Sequence, residues 1–334
     1  MGITIKDVAK NAEVSVSTVS RVLNGKDRVD PDTRKKVMEV IKSMNYVPNN
    51  LAVSMVKKKS NILGVVIPEI MNPFYAAVVK GAEEIAKKKG YVTLILITND
   101  DAKEENNYYN TILTKYIDGI ILIGSHVDKA FYQKIKKPTV LVDRYFEDTG
   151  KQGVVIDNFS GTYQLTNHLI ENGHRDIAII NGLMDYNDGV DRFEGFLCAM
   201  KDNQIETKDS YIKMGNWFEE DGYSHTKELL KQEDPPTAIV ACNNLICIGA
   251  IKAIREQGLE VGKDISLVGF DDHDLAAFNQ PGITVVDRPT SVMGVRATEM
   301  LIEEIENGFV QTEQSRKVNL GVSLIYRGSV KKIN

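Results

Sequence analysis

The chain begins with apolar positions at helical spacing. Val8, Ala9 and Ala12 share one helix face, and Val19, Val22 and Leu23 repeat the pattern after a run of serines and threonines. Ser15 and Ser17 are capping residues for that second helix, and Asn24-Gly25 ends it with residues that tolerate a left-handed backbone. Asp30-Pro31 supplies a cap and a first-turn proline for a third helix, whose Val37, Ile41 and Met44 lie on one side. The spacing predicts a helix-turn-helix with a supporting helix over residues 1–47. Pro48-Asn49-Asn50 breaks the third helix, and 51–59 follows as a short amphipathic stretch ending in Lys57-Lys58-Lys59. A helix that short, below the roughly 12–15 residues needed for stability in water, requires a partner, so 48–59 reads as a hinge.

From Asn61 onward the pattern changes. Continuous apolar runs at 62–67, 92–98, 119–123, 139–142, 177–181, 238–241, 265–270 and 283–286 alternate with helical patterns at 74–89, 104–115, 162–172, 192–203, 245–256 and 292–307. Strands that are apolar throughout and joined by helices predict parallel sheets covered on both faces. Two sets of such units predict two α/β subdomains side by side. The crevice at the carboxyl ends of their strands is the expected ligand site.

The 334 residues, 43% apolar and 26% charged, fit a folded protein of two or three domains. Apolar runs are strand-sized, so no membrane span is expected, and the polar amino terminus carries no secretion signal, which suggests a cytoplasmic protein. Cys198, Cys242 and Cys247 lack metal-site spacing. Charge is unevenly divided: residues 1–60 carry twelve Lys/Arg against six Asp/Glu, a net of +6, whereas the rest carries −11. A basic head on an acidic body points to a polyanion partner for the head alone. No enzyme motif stands out. Gly258 to Asp264 only imitates a phosphate loop, no nucleophile elbow or zinc-protease motif occurs, and the histidines His126, His168, His174, His225 and His273 are scattered. Neither a cofactor nor a metal is expected.

Three amino-terminal stretches carry a resemblance: Ile3-Thr4-Ile5-Lys6-Asp7-Val8-Ala9, Val14-Ser15-Val16-Ser17-Thr18-Val19-Ser20-Arg21-Val22-Leu23-Asn24, and Thr33-Arg34 through Tyr46-Val47-Pro48-Asn49. With Gly64-Val65, Asn72-Pro73-Phe74, Gly173-His174, Arg192-Phe193-Glu194-Gly195-Phe196, Asn243 and Gly269-Phe270-Asp271, the whole chain resembles the LacI/GalR family of bacterial transcription regulators. The resemblance implies a homodimer that binds a pseudopalindromic double-stranded DNA operator, with a body of two parallel-sheet subdomains of periplasmic-binding-protein type. These would comprise about 60–158 with 289–318, and about 159–288 with 319–334. It implies DNA contacts by Thr4, Ser15, Val16, Ser17, Thr18, Arg21, Asn24 and Asn49, with Val16, Ser17 and Arg21 at base edges. An arginine that bonds a guanine is worth roughly 1–3 kcal/mol of discrimination, while Val16 offers a thymine methyl contact or simply packs on its helix face. In the hinge, Ala52 would allow close approach of two copies, and Met55 stands where the family wedges a leucine into a base step. Lys57 to Lys59 either contact phosphate or are solvated.

In the body the resemblance implies a cleft lined by Asn72, Phe74, Asp143, Asp157, Arg192, Trp217, Asn243 and Asp271, holding a small effector that is most simply a sugar. Trp217 would stack on a ring, and Arg192 with Asp271 or Asp143 would bond adjacent hydroxyls, unless these charges only bridge the subdomains. Asn244 in place of an aspartate and Arg144 after Asp143 depart from the family pattern and leave a purine, a phosphorylated or a neutral ligand open. On helix 292–307 only Arg296 stands among acids, which disfavours a phosphocarrier corepressor. The rival of another class is a sugar-binding transport component; the basic head and missing secretion signal count against it.

Overall fold

The computed structural model describes residues 3–23, 25, 29–46, 59–124, 129–308 and 316–333. The chain divides into two units, 1–60 and 61–334. In the first, α1 (Ile5–Ala12), α2 (Val16–Leu23) and α3 (Pro31–Ser43) enclose a small core of Val8, Ala9, Ala12, Val19, Val22 and Val37. Each start has its own cap. Asp7 Oδ2 accepts from both the backbone N–H and the hydroxyl of Thr4, at 2.8 and 2.7 Å. Ser15 Oγ accepts from Thr18 N at 3.1 Å, so Ser15 alone caps α2 and Ser17 lies inside its first turn. Asp30 accepts from Thr33 N at 3.0 Å, with Pro31 opening α3. Lys36 pairs with Glu13, tying α3 to the turn between α1 and α2.

The second unit starts with β1 (Ile62–Ile67), α4 (Pro73–Lys88) and β2 (Val92–Ile97). α5 (Ala102–Tyr108) then passes through a π turn (Tyr109–Leu113) into α6 (Thr114–Tyr116), followed by β3 (Gly119–Ile123), α7 (Lys129–Lys134), β4 (Thr139–Val142) and β5 (Gln152–Ile156). α8 (Asn158–Glu171) leads to the second sheet: β6 (Ile177–Asn181), α9 (Asn187–Asp202), β7 (Ile212–Met214), α10 (Glu219–Leu230), β8 (Ala238–Ala241), α11 (Asn244–Glu256), β9 (Ser266–Phe270), α12 (Asp274–Phe278) and β10 (Thr284–Asp287). α13 (Thr290–Asn307) returns to pack on α4, and β11 (Lys317–Leu320) and β12 (Ser323–Ile325) close the order. The first sheet runs β11-β5-β4-β3-β1-β2, all parallel. The second runs β12-β10-β9-β8-β6-β7, parallel except for the antiparallel β10–β12 pair.

The chain therefore passes between the sheets after β5, after β10 and between β11 and β12. Such a triple connection lets the two lobes move as bodies while their strand ends stay opposed. α13 is held against α4 by a close approach at Gly294, where an added Cβ would stand 1.9 Å from the carbonyl oxygen of Val78. No described helix is long and apolar enough to cross a membrane.

Candidate functional site

The strand ends converge on a cavity of about 340 Å³, inside the range of roughly 300–1,000 Å³ of small-molecule sites. Its lining follows from the strand order. Glu69 and Asn72 come after β1, Asn99 and Asp100 after β2, Asp143 and Arg144 after β4, and Asp188 and Arg192 from α9 beyond β6. Asn216 and Trp217 follow β7, Asn243 and Asn244 follow β8, Asp271 follows β9 and Arg288 follows β10. Five lining residues, Asn99, Asp100, Asp143, Trp217 and Asp271, hold a left-handed backbone with φ between 51° and 74°. For a bulky tryptophan this is a genuine outlier, and such strain collects where a fold aims side chains at a ligand.

Of the eight body residues expected here, seven line the cavity, and Asp157 does not. Its carboxylate accepts from Ser160 N at 3.0 Å and caps α8. Asn243 lines the cavity, but its amide is engaged by the chain: Oδ1 accepts from Ile246 N at 2.7 Å and Nδ2 donates to the Trp217 carbonyl at 2.9 Å. The residue positions the tryptophan loop. Trp217 lies flat on Gly182, where a Cβ would fall 2.0 Å from the indole, and its Nε1 has no hydrogen-bond partner among the described residues. Asp221 accepts from Asn216 N and Phe218 N at 2.7 and 2.9 Å and so fixes the rest of that loop.

The expected pairing of Arg192 with Asp271 or Asp143 is not what forms. Arg192 donates to Asn158 Oδ1 at 2.8 Å and to the Cys242 carbonyl at 2.6 Å, stacked 3.8 Å over Phe270. Burial, with the Arg288 charge behind it, lowers its pKa. The two aspartates meet Arg288 instead, a residue not singled out from the sequence: Nη1 donates to Asp143 at 2.6 Å, Nη2 to Asp271 at 2.9 Å, and Nε also to Asp271. Burial opposes the Arg288 charge, but Asp143 and Asp271 outweigh it and raise its pKa. The signal available in the sequence was position, because Arg288 follows β10 much as Asp143 and Asp271 follow β4 and β9. Arg144 donates to the Gly124 carbonyl at 3.0 Å and stands 3.5 Å from Asp188, whose Oδ1 lacks a hydrogen-bond partner among the described residues. Asn244 forms an amide pair with Asn72, donating to its Oδ1 at 2.8 Å. An aspartate there would accept but not donate. Beside this cleft, a second cavity of about 530 Å³ is lined by Met71, Ala77, Ile248, His273 and Leu275, and shares Phe74 and Arg288 with the first.

In the head, Val16, Ser17 and Arg21 are exposed on the side of α2 opposite Val19 and Val22. Val16 is 41% exposed and lies outside the small core of the head. Ser15, Ser17 and Thr18 join hydroxyls at 2.7 and 2.8 Å, and the Thr4 hydroxyl is held by Asp7. Asn24, Asn49, Ala52, Met55, Lys57 and Lys58 lie outside the described residues.

A three-helix head followed by a two-lobed α/β body with a polar cleft defines a DNA-binding regulator of the ligand-responsive kind. Residues 4–49 match the family described as "Bacterial regulatory proteins, lacI family", and residues 60–327 match "Periplasmic binding proteins and sugar binding domain of LacI family". The chain belongs to the LacI family of bacterial transcription regulators. It is 32% identical to the HTH-type transcriptional repressor PurR of Actinobacillus pleuropneumoniae serotype 3 (strain JL03) over 99% of both chains. It is 32% identical to the ribose operon repressor of Haemophilus influenzae (strain ATCC 51907 / DSM 11121 / KW20 / Rd) over 98% of both. Among solved structures it is similar to the Lac repressor dimer bound to operator and the anti-inducer ONPF, with a TM-score of 0.84 and 25% identity over 98% of this chain and 99% of that one. The transcriptional regulator CelR–cellobiose complex matches with a TM-score of 0.74 and 30% identity, over 98% and 99%.

Proposed function

We propose that this chain is a cytoplasmic, homodimeric repressor whose hold on a pseudopalindromic operator is set by a sugar bound between the two lobes. The observation that carries the ligand is a pair of buried groups in the cleft, the Trp217 N–H donor and the Asp188 Oδ1 acceptor, that have no hydrogen-bond partner among the described residues. A buried polar group left without a partner costs about 1–3 kcal/mol, which a hydroxylated ligand offering both an acceptor and a donor recovers. Two of the three guanidiniums of the cleft face carboxylates, Arg288 between Asp143 and Asp271 and Arg144 3.5 Å from Asp188, and carboxylates outnumber guanidiniums in the lining, which disfavours a phosphate. The head, matched to the regulatory family, leaves the transport-component reading without support. The dimer is argued from the Lac repressor likeness, since a two-fold operator calls for two heads.

The test is a titration of Trp217 fluorescence, the only tryptophan in the chain, with sugars, sugar phosphates and purines, repeated with operator DNA present. The expected result is a saturable change with a neutral sugar and a changed operator affinity at the same concentration. Saturation by a purine alone overturns the sugar reading. On the DNA side, Arg21 is exposed on α2 beside Ser17 and Val16, as a base-reading arginine must be. Arg21→Ala is expected to weaken specific binding by about 1–3 kcal/mol and nonspecific binding far less. Equal losses on operator and random DNA in a band-shift assay would remove Arg21 from base reading.

A further inference from the structure

Asp143 and Asp271 are the two carboxylates that face each other from opposite lobes, and a guanidinium of the chain itself already lies between them. Arg288 makes a two-pronged bond to Asp271, reaches Asp143 at 2.6 Å and stacks 3.6 Å over the Phe74 ring. It is 5% exposed and lines both cavities. The main cleft presents five carboxylates against three guanidiniums, and between Asp143 and Asp271 this one side chain is the difference between a local charge of −1 and −2. Tethering also matters, because a bound free cation costs translational entropy that a side chain of the fold has already given up.

We propose that Arg288 is a built-in counter-ion that sets the charge class of the effector. By offsetting one of the two charges of the Asp143–Asp271 pair and occupying the hydrogen-bonding oxygens that face each other, it fits the cleft to an uncharged polyhydroxylated ligand. Without it the same carboxylates form a subsite for an ammonium or guanidinium group. The inference rests on the reading that the cleft holds the effector, but its test does not require the effector to be known.

Arg288→Ala in the full chain is titrated with methylguanidinium by calorimetry and by thermal shift. The expected result is saturable binding and a raised Tm, both absent from the wild type, with at least a tenfold loss when Asp143→Asn is added. In a second arm, aldoses and their 2-amino-2-deoxy counterparts are compared on wild type, Arg288→Ala and Arg288→Gln. The preference for amine over neutral sugar is expected to rise at least tenfold in the variants. Failure of the methylguanidinium arm overturns the proposal, as does failure of the sugar arm in a wild type that binds a neutral sugar, or a wild type that binds the amines more tightly than their neutral parents. Should Arg288→Ala not fold, Arg288→Gln, closer in size and still a hydrogen-bond donor, decides the matter in both arms. A wild type silent to every neutral sugar counts against the sugar effector, while the methylguanidinium result still judges Arg288.

Discussion

Trp217 shows how much of a cleft residue's placement is set by its neighbours. Its backbone is left-handed at φ 72°, its carbonyl is held by Asn243, and its ring covers Gly182 so closely that no side chain fits there. Gly182→Ala must move either the indole or the strand end that carries it, at about 1–3 kcal/mol for forced overpacking. The expected outcome is a shifted Trp217 emission and a lost fluorescence response to ligand, with the far-ultraviolet circular dichroism unchanged. An emission identical to wild type would show that the indole does not rest on Gly182. The sequence placed Trp217 in a loop after an extended segment and the resemblance placed it in the cleft, and both agree with the structure. Arg288 was missed for a plain reason. Its partner Asp143 is 145 positions away, and periodicity carries no information about pairs so far apart.

At the scale of elements, the strands that were legible are those apolar along their length, such as the buried β3 and β8 and the partly exposed β2. The ones missed are β5, which opens with Gln152-Gly153, and the short edge strands β7 and β11, where polar residues alternate, and β12, only three residues long. α10 was missed because its twelve residues carry mostly charges and hydroxyls. The carboxyl-terminal segment is anchored by a residue that the sequence left as scattered. His174 is wholly buried, and its ring nitrogens lie 2.9 Å from Thr237 Oγ1, 3.0 Å from the Lys331 carbonyl and 2.9 Å from Ser266 Oγ. Burial holds the His174 pKa below the ordinary histidine value. The unfolded chain takes up that proton near pH 6.5 and the folded chain does not, so stability is full above that pH and falls as pH drops through and below it. Burial shifts His168 and His273 in the same direction. A Tm lower at about pH 5.5 than at about pH 7.5 is expected, with a shallower difference in His174→Gln. A difference unchanged by that substitution would assign the slope to the other two histidines.

Across the whole molecule, the lobes are held together by polar side chains that cross the cleft. Asn187, at the start of α9 in one lobe, donates to the Asp143 carbonyl at 3.2 Å and accepts from Tyr145 N at 2.8 Å in the other. Asn72 and Asn244 add an amide pair, and Arg288 with Asp143 an ion pair. Each neutral hydrogen bond contributes a net of about 0.5–1.5 kcal/mol, so the two made by Asn187 hold this arrangement of the lobes by roughly 1–3 kcal/mol. That is the size of coupling, about 5–150-fold, by which an effector changes the affinity at a second site. A ligand bridging the lobes and the chain's own bridges therefore act on one equilibrium with comparable force. Asn187→Ala is expected to speed hydrogen exchange at the Tyr145 amide and to weaken ligand binding by about fivefold or more, while leaving exchange in the β3 and β8 amides unchanged. Operator affinity in the absence of ligand should move with it, and the direction of that move gives the sign of the effector. A gain means that opening favours DNA and the ligand induces; a loss means that closure favours DNA and the ligand corepresses. No change in either exchange or operator affinity would mean that Asn187 fixes only the local loop and that the lobes are coupled through other contacts, such as Arg288, the amide pair and the Arg144–Asp188 ion pair.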